Sequence, residues 1–158
     1  MKIKTVKLTE SGLTTSQATA IFEAILTEEE LDLENISFRE NKLGEVESDL
    51  LARAVVKIKT VDLNDTELTA CQATAIFHAI LEEEELDLKN LNIGDNYLDE
   101  VDDSELMAGA VVRLKTVDLN YGELTTSQAG NENFADPRPQ KMWFNSFILI
   151  TQKLGTNA

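Results

Sequence analysis

The sequence predicts an α/β fold built as a solenoid, with parallel strands on one side and helices on the other. Three observations predict it. First, the block KIKTVKLTESGLTTSQATAIFEAILTEEELDLENISFRENKLGEV, from Lys2, returns at Lys57 as KIKTVDLNDTELTACQATAIFHAILEEEELDLKNLNIGDNYLDEV. A third copy opens at Arg113 as RLKTVDLNYGELTTSQA and then breaks off. A period of about 55 residues marks stacked units, each burying its apolar face against the next. Second, one apolar spacing occurs twice within each period, so the block divides into two related halves. Third, each half changes its hydrophobic period from two to three and four, which turns a strand into a helix.

The units follow in order. Counting from the first apolar residue, the first unit has Ile3, Val6, Leu8 and Leu13 at positions 1, 4, 6 and 11. The second has Leu33, Ile36, Phe38 and Leu43, with Asn41 at position 9. The third has Ile58, Val61, Leu63 and Leu68; the fourth has Leu88, Leu91, Ile93 and Leu98, with Asn96; the fifth has Leu114, Val117, Leu119 and Leu124. Positions 4 and 6 of a strand point to one side, which is the inward one here. Val6, Val61 and Val117 favour strands. The stretch 14–26 then places Ala18, Ile21, Phe22, Ile25 and Leu26 on one helical face, with Thr14 or Thr15 as N-cap. Its twin is 69–81, with Ala73, Ile76, Phe77, Ile80 and Leu81 inward. Weaker helices are predicted over 46–56 and 101–112, where small residues such as Gly109 allow close packing.

This spacing resembles the leucine-rich repeat pattern L-x-x-L-x-L-x-x-N-x-L. The resemblance covers residues 1–130 as about five units, and the unit length is similar to that of the ribonuclease-inhibitor-like subclass. It implies a curved right-handed horseshoe fragment with strands on the concave side and helices on the convex side. It also implies that the position-9 Asn bonds neighbouring backbone. Only Asn41 and Asn96 supply that residue; Ser11, Thr66 and Gly122 stand there in the other units. Ser and Thr can do part of the work, and Gly cannot. The subclass also contains Ran GTPase-activating proteins, so a GTPase regulator acting through Asn41 or Asn96 is an alternative reading.

Charge narrows the partners. The chain carries 14 basic and 29 acidic residues, a formal net charge of -15. Phosphate backbones and anionic membranes would be repelled, which disfavours nucleic acid and membrane partners and suits a protein with a basic surface. Cys71 is the only cysteine, so no intrachain disulfide forms and a cytoplasmic, reducing location is the expectation. The longest apolar run, 142–150, is broken by Asn145 and Ser146 and is too short to span a bilayer.

In the resembling family the outward strand positions carry recognition. Position 8 holds Glu10, Glu40, Asp65 and Asp95, then Tyr121. Adding positions 5 and 7, the candidate partner-binding face is Glu10, Arg39, Glu40, Asp62, Asn64, Asp65, Asn92, Asp95, Asp118 and Tyr121. Only Arg39 and Tyr121 are of the anchor type that dominates tight interfaces, so modest affinity is expected. Lys4, Lys59, Lys89 and Lys115 recur at position 2 and are expected to pair with acids of adjacent units. The runs 28–30 and 82–85 place glutamates at helix C-termini, against the helix dipole.

No catalytic group is expected. His78 has no His or Cys near it in sequence, and Cys71 has no base beside it. There is no Gly-rich phosphate loop, no calcium-loop pattern and no nucleophile elbow, so neither cofactor nor metal is expected. The leading expectation is a protein-binding module of a larger sensor or scaffold. A spacer with no partner of its own is the remaining class.

The tail 131–158 leaves the repeat. Gly130 stops the helix, Pro137 and Pro139 forbid regular structure, and Trp143 sits in an apolar run. The expectation is a cap over the last apolar face; the alternative is an unrelated sticky segment. Likewise, the first unit opens at once on a strand with no polar capping module before it, and an uncovered edge invites self-association. A cap predicts that deleting residues 131–158 lowers the urea midpoint. A more stable, monomeric deletion variant overturns the cap.

Overall fold

A computed structural model describes residues 3–98, 101 and 103–119. Five short strands alternate with four helices along the chain. They are β1 (Thr5–Lys7), α1 (Thr15–Thr27), β2 (Asn35–Ser37), α2 (Ser48–Val55) and β3 (Thr60–Asp62), then α3 (Ala70–Glu82), β4 (Asn90–Asn92), α4 (Ser104–Val111) and β5 (Thr116–Asp118). The strands form one parallel sheet in the order β1-β2-β3-β4-β5, and each helix packs on the helices next to it in sequence. The register aligns equivalent repeat positions: Val6 with Ile36, Ile36 with Val61, Val61 with Leu91 and Leu91 with Val117. The expected tail, residues 131–158, and the fifth unit beyond Leu119 lie outside the described residues.

The core follows the apolar spacing. Position 4 is buried at Ile36, Val61, Leu91 and Val117, and position 6 at Phe38, Leu63, Ile93 and Leu119. Helix residues Ala18, Phe22, Ile25, Ala73, Ile76, Phe77 and Ile80 close over them. Phe22 and Phe38 meet with ring centroids 4.8 Å apart, a tilted pair that ties α1 to the strand of the following unit.

The helix ends explain the observed bounds. Thr14 and Thr69 cap α1 and α3 in full capping boxes, with Gln17 and Gln72 as the reciprocal partners. The second-half helices are shorter than the expected 46–56 and 101–112. Glu47 accepts from the amides of Asp49 and Leu50, and Asp103 accepts from that of Leu106, so those residues become the caps. Val46 and Val101 instead close turns onto Leu43 and Leu98. Three inward expectations also soften. Ile21 and Leu26 are only half-buried, and Leu81 is 39% exposed. Leu81 nevertheless covers Gly109: a Cβ there would stand 3.4 Å from its Cδ2, an ordinary van der Waals contact, so a small residue suffices at this crossing and glycine itself is not required.

The turns after β1 to β4 are held by side-chain amides. The Asn41 Nδ2 donates to the carbonyls of Leu8 (2.6 Å) and Phe38 (2.8 Å), and its Oδ1 accepts from the Leu13 amide (3.1 Å). Asn96 repeats this one period later, donating to Leu63, Ile93 and Gly94 and accepting from the amides of Thr66 and Leu68. Each asparagine thus joins its own unit to the unit before it. Ser11 and Thr66 take part of the same work, their hydroxyls donating to the Leu8 and Leu63 carbonyls.

A second polar device joins the third unit to the second. Gln72, 1% exposed, donates through Nε2 to the carbonyls of Leu43 (2.8 Å) and Val46 (2.7 Å). Within the same turn Gly44 allows the Glu67 backbone to come close, since a Cβ there would stand 2.7 Å from the Glu67 carbonyl oxygen. Arg113 closes the end of α3: its guanidinium donates to the carbonyls of Ile80, Leu81 (3.0 Å) and Glu83 (2.7 Å). That cation answers the unfavourable glutamate run there.

Burial separates the two asparagines. The contacts of Asn96 with Thr66 and Leu68 are buried, whereas the matching contacts of Asn41 are only partly so. Asn96→Ala is expected to cost about 3 kcal/mol, because buried amides lose their only acceptor and water cannot replace it. Asn41→Ala is expected to cost about 1–2 kcal/mol. Urea denaturation of the two variants checks the order.

Candidate functional site

The strand face opposite the helices is lined by side chains that the sheet cannot bury. After each of β1 to β4 the backbone passes through a left-handed residue at repeat position 8. These are Glu10 (φ 52°), Glu40 (φ 57°), Asp65 (φ 52°) and Asp95 (φ 52°). All four sit at the same repeat position, and all four are exposed acids. Their amides continue the sheet ladder: Glu10 donates to Arg39, Glu40 to Asn64 and Asp65 to Gly94. Neighbouring strands lie about 4.8 Å apart, so the acids form one row across the units.

That row carries two costs. A left-handed conformation costs an L-residue with a Cβ roughly 1–2 kcal/mol, least for Asp and Asn. Like charges at this spacing repel by up to about 1 kcal/mol per adjacent pair in bulk water, before salt screening. The same conformation recurs at Glu67 (φ 56°), whose twin in the first copy is Gly12 (φ 62°). At that position one copy has the relaxed residue; at the acid row none does.

The neighbouring candidate residues form lateral hydrogen bonds. Ser37 Oγ donates to Asp62 Oδ2 (3.0 Å) and lies 3.3 Å from Thr9 Oγ1. Arg39 Nε donates to Glu40 Oε1 (2.9 Å), so the one guanidinium on this face lies along an acid of the row. Asp62 and Asn92 turn back to accept from the amides of Asn64 and Gly94. They are half-buried, as is Asp118 on the last strand.

Asn64 departs from expectation. It is placed with the exposed face by sequence spacing, but only 8% of it is exposed, and its Nδ2 donates to Asp95 Oδ2 (3.0 Å). It orients an acid of the row rather than offering its own surface. Tyr121, expected at the end of the row, lies outside the described residues. Tyr97 is exposed beside the row at 65%.

The basic column behaves as a structural pairing at one end. Glu34 occupies position 2 of the second unit, and Lys4 Nζ lies 2.7 Å from its Oε1. The Lys4 hydrogen bond and charge hold the Glu34 carboxyl below its usual range, with a smaller contribution from Lys59. Glu34 in turn raises the Lys4 ammonium. The stabilisation is therefore present at neutral pH. It is lost in acid as Glu34 takes a proton, and in strong base as Lys4 loses one. Both groups face water, so the pair contributes little.

Cys71 and His78 are exposed on α3. Among the described residues no group of three or more His, Cys, Asp or Glu side chains could hold a metal ion, and no helix is long and apolar enough to cross a membrane. Asn41 and Asn96, which a GTPase regulator would use, are 4% and 6% exposed and direct their amides at backbone. No family model matches the chain, and no curated protein matches it either.

Several structural residues escape a reading by spacing alone. Gln72 looks like an ordinary helix-start residue, and its second role depends on carbonyls 26 and 29 residues earlier. Arg113 looks like the first residue of a strand. A signal for Glu67 was present, since its copy is a glycine.

Strain at the row makes a direct forecast. Glu40→Gly removes the Cβ from a left-handed site and one charge from the row. It is expected to raise stability by about 0.5 kcal/mol, the larger entropy of an unfolded glycine offsetting part of the gain. The comparison is a urea titration against Glu47→Gly. That change removes a carboxylate which caps α2 from a residue with φ -60°, and it should destabilise.

Proposed function

We propose that the chain is a leucine-rich-repeat-type solenoid that binds a partner protein on its exposed strand face. The observation that carries the reading is the row Glu10, Glu40, Asp65 and Asp95. Four exposed carboxylates stand at one repeat position, each in a left-handed backbone conformation that a glycine would adopt at lower cost. The repeat pattern supports the solenoid half of the proposal. Strictly sequential parallel strands, and asparagines that bond the preceding unit, are what such a pattern needs.

The partner this face fits has a basic surface. Its lysines or arginines would relieve repulsion along the row, and the strong acidic balance of the chain would speed encounter. Polar neighbours such as Ser37, Asp62 and Asn92 would form the rim. Arg39 is the main contact suited to anchoring, so affinity is modest and salt-sensitive.

The test is charge reversal of the row. Glu40→Lys, Asp65→Lys and Asp95→Lys together should reduce capture of basic proteins in a pull-down at least tenfold. Raising the salt should weaken capture by the natural chain in the same direction. Circular dichroism controls for folding. Equal capture by the folded triple variant sinks the proposal.

A further inference from the structure

The duplication supplies a comparison within one chain. The third unit follows a unit of the second type and is covered by it. The first unit carries nearly the same side chains and is open. Ile58 is 1% exposed and its twin Ile3 is 65% exposed. Leu63, Leu68 and Ile76 are fully buried, whereas Leu8, Leu13 and Ile21 are only half-buried. An apolar hollow of about 460 Å³ lies on this open side, between Val6, Leu8, Ile21, Ile25, Leu31 and Leu33.

The polar groups differ in the same way. Gln17 and Gln72 occupy matching capping boxes. Gln72 Nε2 is bonded to the Leu43 and Val46 carbonyls of the unit before it. Gln17 is exposed, and its Nε2 has no partner among the described residues. The sheet edge agrees, for β1 is the first strand and pairs on one side only among the described residues.

We propose that this face of the first unit docks a strand–helix unit of the second type, patterned like residues 30–56. The identity of the occupant comes from what covers the twin face. There β2 pairs with β3, α2 packs on α3, and the turn from Leu43 to Val46 offers its carbonyls to Gln72. The occupant therefore needs three things. It needs a strand that adds parallel to β1, a helix with an apolar stripe like Leu51, Ala54 and Val55, and a turn with two carbonyls facing Gln17. A unit of the first type lacks the Leu43–Gly44–Val46 turn and fits the face less well. The inference rests on the internal repeat and not on the acidic row, so either can fail without the other.

The test extends the full chain. A second copy of residues 30–56 is joined ahead of Lys2, and in the control a second copy of residues 2–29 is joined there instead. The second-type extension should raise the urea midpoint, and the control should not. Gln17→Ala removes the α1 capping box in both chains, so it should lower both melting temperatures, and that of the extended chain by roughly 4 °C more. Equal midpoints for the two extensions, loss of helical circular dichroism in the second-type extension, or an equal effect of Gln17→Ala in the natural and extended chains would each overturn the proposal. Two other occupants are read on the natural chain. A dimer in sedimentation that Ile3→Asp dissociates assigns the face to a second copy. New binding of an apolar dye after deletion of residues 131–158, abolished by Ile3→Asp, assigns it to the tail. Either result overturns the proposal, and a monomer with unchanged dye binding supports it.

Discussion

The structure depends on how each unit leaves its strand. Strands of three residues make few ladder bonds, and the turn that follows buries backbone groups with no regular partner. Asn41 and Asn96 supply those partners from side chains, each amide satisfying carbonyls and amides of two units at once. A buried amide or carbonyl left unpaired costs about 1–3 kcal/mol, comparable to a tenth or more of a domain's whole stability. The turn geometry is therefore over-determined. It imposes the left-handed residue at position 8, because the chain must reverse there to bring position 9 inward. The acidic row is displayed at the point where the asparagine constrains the backbone most tightly.

The polar connections alternate in type along the chain. Within a period, asparagine reaches back to the earlier half. Between periods, Gln72 reaches back to the turn of the later half. The two halves of the block are not interchangeable for this reason, even though their apolar spacing is the same. Apolar burial tolerates many partners of similar shape, whereas a glutamine with two carbonyls to find accepts few. The order of unit types is thus held by hydrogen bonds, while the existence of each interface is driven by hydrophobic burial.

Much of the fold was legible because it rests on period. Positions 4 and 6 repeat at fixed distance, and burial at Ile36, Phe38, Val61, Leu63, Leu91 and Ile93 follows from strand alternation alone. The helices of 13 residues were legible from Thr14 and Thr69, whose capping residues stand three positions before a glutamine. The shorter helices were overextended, since Val46 and Val101 continue an apolar pattern that Glu47 and Asp103 interrupt by capping. Less of the site was legible. Spacing placed Asn64 outward, but its amide found Asp95 from a unit 31 residues later. Arg113 reaches carbonyls about 30 residues earlier for the same reason. Such contacts depend on which units become neighbours, and no local pattern encodes the reach of a particular side chain.

The acidic row stands apart from both kinds of residue. Duplication accounts for the agreement of Glu10 with Asp65 and of Glu40 with Asp95, since those are copies. It does not account for agreement between the halves, which have diverged at position 9 from serine or threonine to asparagine. At position 8 both halves hold an acid. The copies differ there in side-chain length, Glu against Asp, and agree in charge. A purely structural demand at a left-handed site would select for small or asparagine-like side chains, as Gly12 illustrates at another such position. Glutamate is neither, and a row of like charges is not relaxed by lengthening the side chain of two members. What the four residues share is a negative charge held outward at regular spacing, and the contacts it makes within the chain, Arg39 with Glu40 and Asn64 with Asp95, reach only two of the four and differ between them.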